Sequence, residues 1–252
     1  MSASRLQLIS YSTYRGEPPE LVMSFLKREL RLARRSRVVD VGCGTGRLLR
    51  RLRAFGANAI GVEPEAGMRR LSGMTGIHAG SAERIPLGDS WADFVIACQA
   101  YLSFDAERAP GELARVLKDG GRLVFFDLVW PARLSGFMRA YRAFLKKSFK
   151  FEIDSPAEKR RRHRQAVKLF GGDVFHSKSL GDVETRLTWD ELLGRFLAAS
   201  YAPAPGSPEL AAAVVTLREL FGRHAVRGRV RFKLRAVAIY GVPNRSGHAT
   251  AQ

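Results

Sequence analysis

Between Arg37 and Asp127, short apolar runs alternate with segments of helical periodicity. The runs are Arg37–Val41, Ala59–Glu63, Ile77–Ala79, Phe94–Cys98 and Arg122–Asp127, and such alternation predicts a parallel sheet covered by helices. Phe94-Val95-Ile96-Ala97-Cys98 is apolar throughout, as a strand buried on both faces is. Ahead of this block, Leu21, Val22, Phe25, Leu26 and Leu30 recur at helical spacing. They predict a helix over Pro19–Leu32, opened by Pro18-Pro19. Another helix is expected over Ala109–Leu117, with Pro110 in its first turn and Asp119-Gly120-Gly121 as its stop. After Trp130 the texture changes. Residues 133–168 carry twelve Lys or Arg against three acidic residues, and Phe137, Met138, Tyr141, Phe144 and Leu145 give the first half an apolar helical face. Thr188–Ala199 and Pro208–Gly222 read as helices joined by a Pro-rich connection. Val230, Phe232, Leu234 and Ala236 then alternate with Arg229, Arg231, Lys233 and Arg235, which predicts a strand with one apolar and one basic face.

The expected architecture is α/β: a mostly parallel Rossmann-like sheet with helices on both faces and an inserted helical cap. The expected boundaries are a helical lid at 1–36, a core at 37–129 and 183–243, a basic cap at 130–182 and a flexible tail at 244–252.

Composition narrows the classes. The chain has 252 residues, of which 46% are hydrophobic and 26% charged, which fits one large domain, or one with an insertion, and excludes a wholly disordered chain. Two cysteines, Cys43 and Cys98, make no disulfide framework. The five His show no metal-ligand spacing, so no metal is expected. No GxSxG elbow supplies a hydrolase nucleophile. No apolar stretch approaches the ~20 residues of a membrane span, and the N-terminus lacks a signal-peptide core. A cytoplasmic protein without membrane partners is expected. The net charge of +18, with 33 Arg to 9 Lys, adds one feature: an anionic partner such as nucleic acid, acidic lipid or a charged metabolite.

The richest stretch is Val38-Val39-Asp40-Val41-Gly42-Cys43-Gly44-Thr45-Gly46-Arg47-Leu48-Leu49, a strand running through three glycines into a helix. Glycines allow unusual dihedrals and close backbone approach, and the helix start offers N–H groups to an anion. The spacing is GxGxG. The third glycine of a nicotinamide GxGxxG would fall on Arg47. Asp40, two residues before the first glycine, suits a cationic amine and not a pyrophosphate. Glu63 ends the second strand 21 residues after Gly42, where a carboxylate can accept ribose hydroxyls. A ligand with an amine, a carboxylate and a ribose is favoured, and S-adenosylmethionine has all three.

These residues resemble the class I S-adenosylmethionine-dependent methyltransferases, within them the small-molecule, trans-aconitate methyltransferase-like group. The resemblance rests on VDVGCGTG (Val39–Gly46), GVEPEAGM (Gly61–Met68), GSAERIPL (Gly80–Leu87), ADFVIACQA (Ala92–Ala100) and RVLKDGGRLVFFD (Arg115–Asp127). It implies a class I methyltransferase fold and a cofactor set of Asp40, Gly42, Cys43, Gly44, Gly46, Glu63, Pro64, Ser81, Ala82, Glu83, Gln99 and Tyr14. The glycine loop would hold the methionine moiety, Glu63 the ribose, and Ser81, Ala82 and Glu83 the adenine. Two departures stand out: Ser81 where members often carry Asp, and Tyr101-Leu102-Ser103 where an aromatic, a His and a Trp are common. The resemblance implies methyl transfer to a small-molecule acceptor, and an acidic one suits a cationic cap. No catalytic residue is assigned; His163 and His176 are weak candidates for a base. The alternatives are a nucleic-acid methyltransferase and a cofactor-binding module without catalysis.

Overall fold

The computed structural model describes residues 20–151, 155–199 and 201–244. Seven strands form one sheet: β1 (Arg37–Val41), β2 (Asn58–Glu63), β3 (Ile77–Ala79), β4 (Ala92–Cys98), β5 (Leu117–Val129), β6 (Phe175–Leu187) and β7 (Val230–Gly241). Their order is β3-β2-β1-β4-β5-β7-β6. The pairs β1–β2, β1–β4, β2–β3 and β4–β5 are all parallel. The eight described α-helices are α1 (Glu20–Arg28), α2 (Arg47–Phe55), α3 (Ala66–Ser72), α4 (Ala109–Val116), α5 (Gly136–Phe149), α6 (Pro156–Phe170), α7 (Trp189–Leu197) and α8 (Pro208–His224). Strand order reverses at β1, with β2 on one side and β4 on the other. The carboxyl ends of these three strands therefore flank a topological switch point, where open α/β sheets bind ligands. This is the class I methyltransferase architecture. Among the described residues no helix is long and apolar enough to cross a membrane.

The chain divides into two compact units. The first comprises the described residues within Glu17–Leu128, Pro156–Gly181 and Ala236–Gln252, the second those within Val129–Ser155 and Asp182–Arg235. This grouping departs from the expected boundaries, for reasons of burial. Residues 156–181, expected in the cap, belong with the first unit because Ala166, Leu169 and Phe170 of α6 are buried among Leu113, Leu123 and Phe125. Residues 183–235, expected with the core, join 129–155 and Asp182. Phe137, Met138, Tyr141, Phe144 and Leu145 of α5 pack against Leu192, Phe196, Leu217, Phe221 and Phe232, giving this unit its own apolar core. On the other face of the first unit, Phe25 and Leu26 of α1 and Leu48, Leu49 and Leu52 of α2 cover Val38, Ile96 and Phe126.

Local chemistry sets the element ends. Ser135 and Ser207 cap α5 and α8, each accepting the N–H three residues on, and Thr188 with Glu191 forms a capping box on α7. The helix expected over Pro19–Leu32 stops earlier, at Arg28. Arg31 has φ 58, and the N–H of Leu32 returns to the carbonyl of Leu26 at 2.8 Å, so Leu30 and Leu32 are buried without being helical. β5 begins earlier than expected: it includes Asp119-Gly120-Gly121, absorbed as a register shift against Ala92–Phe94. β6 leaves no clear mark in the sequence pattern. It is an edge strand whose residues are mostly exposed, so apolar alternation is not required of it.

Candidate functional site

The first unit builds the site at the carboxyl ends of β1, β2 and β4. Asp40 lies one residue before the end of β1 and is 1% exposed. Neither of its carboxylate oxygens has a hydrogen-bond partner. Burial, and after it the charge of Glu63, pushes its pKa up to about 8. A buried carboxyl left without partners is costly in an empty fold, and it is the arrangement expected where a ligand supplies the missing group.

After Asp40 the backbone turns through Gly42, Gly44 and Gly46 at φ 67, 57 and 75, dihedrals that side-chain-bearing residues adopt at a cost. At Gly42 space is also closed: a Cβ there would meet the Cβ of Ala100 at 2.6 Å. The turn is tied to the neighbouring strand, with Gly42 and Cys43 donating to the carbonyl of Val62 at 2.8 and 3.2 Å. It ends on α2, which has no side-chain N-cap. Its first amides are oriented as an anion site.

Glu63, 7% exposed, does more than the sequence suggests. Its Oε2 accepts the N–H of Gly44 at 2.8 Å and its Oε1 the N–H of Glu65 at 2.9 Å. One carboxylate thus links the glycine turn to the start of α3, and each oxygen keeps a further lone pair. Cys43 is half-buried, and burial together with Asp40 and Glu63 pushes its thiol pKa well up. Pro64 is exposed, and its carbonyl accepts from Arg69 at 2.7 Å.

Ser81 and Arg84 exchange backbone hydrogen bonds at 3.1 and 3.2 Å, a tight turn that buries Ala82. Glu83 accepts the N–H of Asp105 at 2.8 Å, so its carboxylate fastens the segment after β4. Gln99 sits just past β4 at φ 59 and donates its N–H to Phe126 at 2.7 Å. The sheet thus brings the glycine turn, Glu63 and the residues after β4 to one edge. Tyr14, expected to close over the cofactor, lies outside the described residues.

Three residues beyond this set carry charge or polarity into the interior. Tyr101 is 1% exposed and stacks on Phe125 with centroids 4.8 Å apart; burial raises its phenol well above the ordinary value. Asp127, near the end of β5, faces Arg162 of α6 at 3.2 Å, and Arg162 also bonds Glu158 at 2.9 Å. Arg162 sits in the run Lys159-Arg160-Arg161-Arg162-His163-Arg164. Only its position on the inner face of α6, fixed by Ala166 and Leu169 one and two turns on, separates it from its neighbours. His163 and His176 are exposed, the former tilted against Phe175.

Comparison with known proteins bears on the fold and the family. A methyltransferase-domain family model matches residues 39–125. An uncharacterized methyltransferase of Mycobacterium tuberculosis is 40% identical over 120 residues, 46% of this chain and 46% of the relative. A malonyl-[acyl-carrier protein] O-methyltransferase of Pectobacterium atrosepticum is 32% identical over 170 residues, 60% of this chain and 64% of that protein. The chain thus spans about half the length of the mycobacterial relatives it matches. Among solved structures, a protein of Anaeromyxobacter dehalogenans named for type II methyltransferases aligns with TM-score 0.66 at 22% identity, covering 92% of this chain and all of that one. The YcgJ protein of Bacillus subtilis aligns with TM-score 0.52 at 19% identity, covering 89% and 97%.

Proposed function

We propose that this chain, whose residues 39–125 match a methyltransferase-domain family model, is an S-adenosylmethionine-dependent methyltransferase that acts on a small-molecule acceptor. The observation that carries the cofactor assignment is Asp40, a buried carboxyl with no partner, set directly before a glycine turn and beside Glu63. These residues fit the ligand. Asp40 suits its ammonium group, the amides of the turn and of α2 its carboxylate, and Glu63 its ribose hydroxyls. S-adenosylmethionine supplies a methyl group already activated on a sulfonium. The chain's own task is then to orient the reactants and exclude water, and orientation contributes roughly 7–11 kcal/mol in well-aligned reactions. Asp40, whose carboxyl is raised to about 8, would release its proton to solvent on pairing with the ligand's ammonium group.

Gly44→Val is expected to abolish cofactor binding in calorimetry while the protein stays folded by circular dichroism. The valine would be strained at φ 57 and would block backbone approach. Wild-type binding by this variant overturns the site, and a preference for NAD overturns the ligand. Glu63→Ala is expected to lower affinity about ten- to hundredfold, the loss of hydrogen bonds involving a charged group. A change below twofold removes Glu63 from the ribose.

For the acceptor we favour a carboxylate-bearing small molecule. Such an acceptor is deprotonated at neutral pH and attacks without a base, which fits a site in which none is assigned. The net charge of +18 suits an acidic acceptor, and the Pectobacterium relative is named for O-methylation of a malonyl group. The test is transfer of labelled methyl to a panel of carboxylic acids and a malonyl thioester, with base-labile product as readout. Label appearing in RNA and in no carboxylate overturns this acceptor class.

A further inference from the structure

The second unit contains a cavity of 730 Å³ lined by Arg186, Arg227, Arg229 and Arg231, with His224 and Ser135. It shares no residue with the cofactor site, and no acidic residue lines it. Phe137 and Val226 provide an apolar wall. The arginines are not equally committed. Arg231 is held bidentate by Glu184 at 2.9 and 3.0 Å, and Arg229 lies 3.8 Å from Glu191 and donates to the carbonyl of Arg186 at 3.1 Å. Arg186 and Arg227 make no ion pair among the described residues. Arg227 thus lines the cavity without an ion pair, Arg186 does so within the electrostatic reach of Glu184, and Arg229 and Arg231 line it while engaged with acidic groups. Gly136 and Phe137, the first two residues of the 14-residue helix α5, belong to the same lining.

The turn that carries Arg227 makes the arrangement specific. Val226 and Arg229 exchange backbone hydrogen bonds at 2.9 and 3.2 Å, with Arg227 at φ 50 and Gly228 at φ 70 between them. Such a two-residue turn with both central residues at positive φ favours Asn, Asp or Gly at its first position. An arginine there is held in a conformation it adopts at a cost.

We propose that this cavity binds the phosphate or diphosphate group of a small ligand. Guanidinium forks match phosphate oxygens in bidentate fashion, and a helix N-terminus adds to the same field. A few hundred cubic ångströms is the usual size of a small-molecule site. Charges that converge on a concavity with an apolar wall favour such a ligand over a nucleic-acid strand, which requires an extended track of phosphate contacts. The proposal does not depend on methyl transfer.

Inorganic pyrophosphate is the probe, titrated calorimetrically into the full chain, with malonate and a single-stranded RNA oligonucleotide as parallel arms. Saturable pyrophosphate binding is expected, tighter than malonate. Arg227→Asn is the informative variant because asparagine suits the turn: its melting temperature is expected to be no lower than that of the parent. Its pyrophosphate affinity is expected to fall about tenfold or more, and Arg186→Gln combined with it should lower affinity further. Binding of S-adenosylmethionine is expected to be unchanged in both. The proposal is overturned by absence of saturable pyrophosphate binding, by binding that both variants leave intact, or by malonate or RNA binding more tightly at this cavity.

Discussion

Affinity for S-adenosylmethionine is expected to rise about tenfold per unit of pH between roughly pH 6 and 8, to peak near 8 and to fall beyond it. The cause is Asp40, whose carboxyl is raised to about 8 by burial first and by Glu63 second. Near neutrality it is protonated and must release its proton to face the ligand's ammonium. The ligand's own α-amine titrates at about 7.7–8.0, so above that range the cation is lost instead. The maximum falls where both charges coexist. Calorimetry near pH 7 in two buffers of different ionisation enthalpy should register close to one proton released per ligand bound. Stability of the ligand-free protein carries the opposite dependence. The folded carboxyl holds its proton to a higher pH than the unfolded one, whose pKa is the ordinary 3.8. Stability is therefore greatest below about 4 with respect to this group and declines as pH rises through about 8. Asp40→Asn should remove both effects. The variant is expected to melt higher than the parent at pH 8 but to bind at least about tenfold more weakly there. Parental affinity with an unaltered pH profile would remove Asp40 from the ligand site.

Arg162→Ala is expected to be the most destabilising substitution within the basic run. Arg162 lies between Asp127 and Glu158, at side-chain exposures of 15%, 14% and 24%. Removing it leaves two carboxylates near one another without that cation. Breaking a buried pair costs roughly 3–5 kcal/mol, and the residual exposure argues for the lower end. For a chain of this size, about 3 kcal/mol corresponds to a fall in Tm of roughly 6–12 °C. Arg160→Ala and Arg164→Ala, at exposed positions on the same helix, should each stay within about 0.5 kcal/mol. Equal, small effects at all three positions would make the Asp127 contact energetically idle. The same comparison informs a nucleic-acid experiment: a charge-removal test of this helix is interpretable at 160 and 164, whereas at 162 it confounds charge with folding.

What the sequence made legible follows how strongly burial constrains each segment. β1, β2 and β4 are covered on both faces, so their apolar runs and the glycine turn after β1 have few alternatives. Asp40 and Glu63 stood out because a carboxylate beside such a turn is chemically conspicuous. β6 had no such constraint at the sheet edge. The two-unit division was hidden for another reason: an apolar stripe such as Phe137, Tyr141 and Phe144 specifies that α5 is covered, not by what. It packs on α7, α8 and β7 of its own unit, partners far along the chain that helical periodicity alone cannot identify. Likewise the sequence gives no means to separate Arg162 from Arg160 and Arg161, because the inner face of α6 is set by Ala166, Leu169 and Phe170.

The placement of Cys43 bears on chemical durability. Oxidants and alkylating agents attack the thiolate, not the thiol. Within the glycine turn, burial first, and Asp40 and Glu63 after it, favour the protonated form of this sulfur. Burial is the larger cause and the carboxylates, where ionised, add to it, so alkylation of Cys43 by a thiol reagent is expected to be slow at neutral pH.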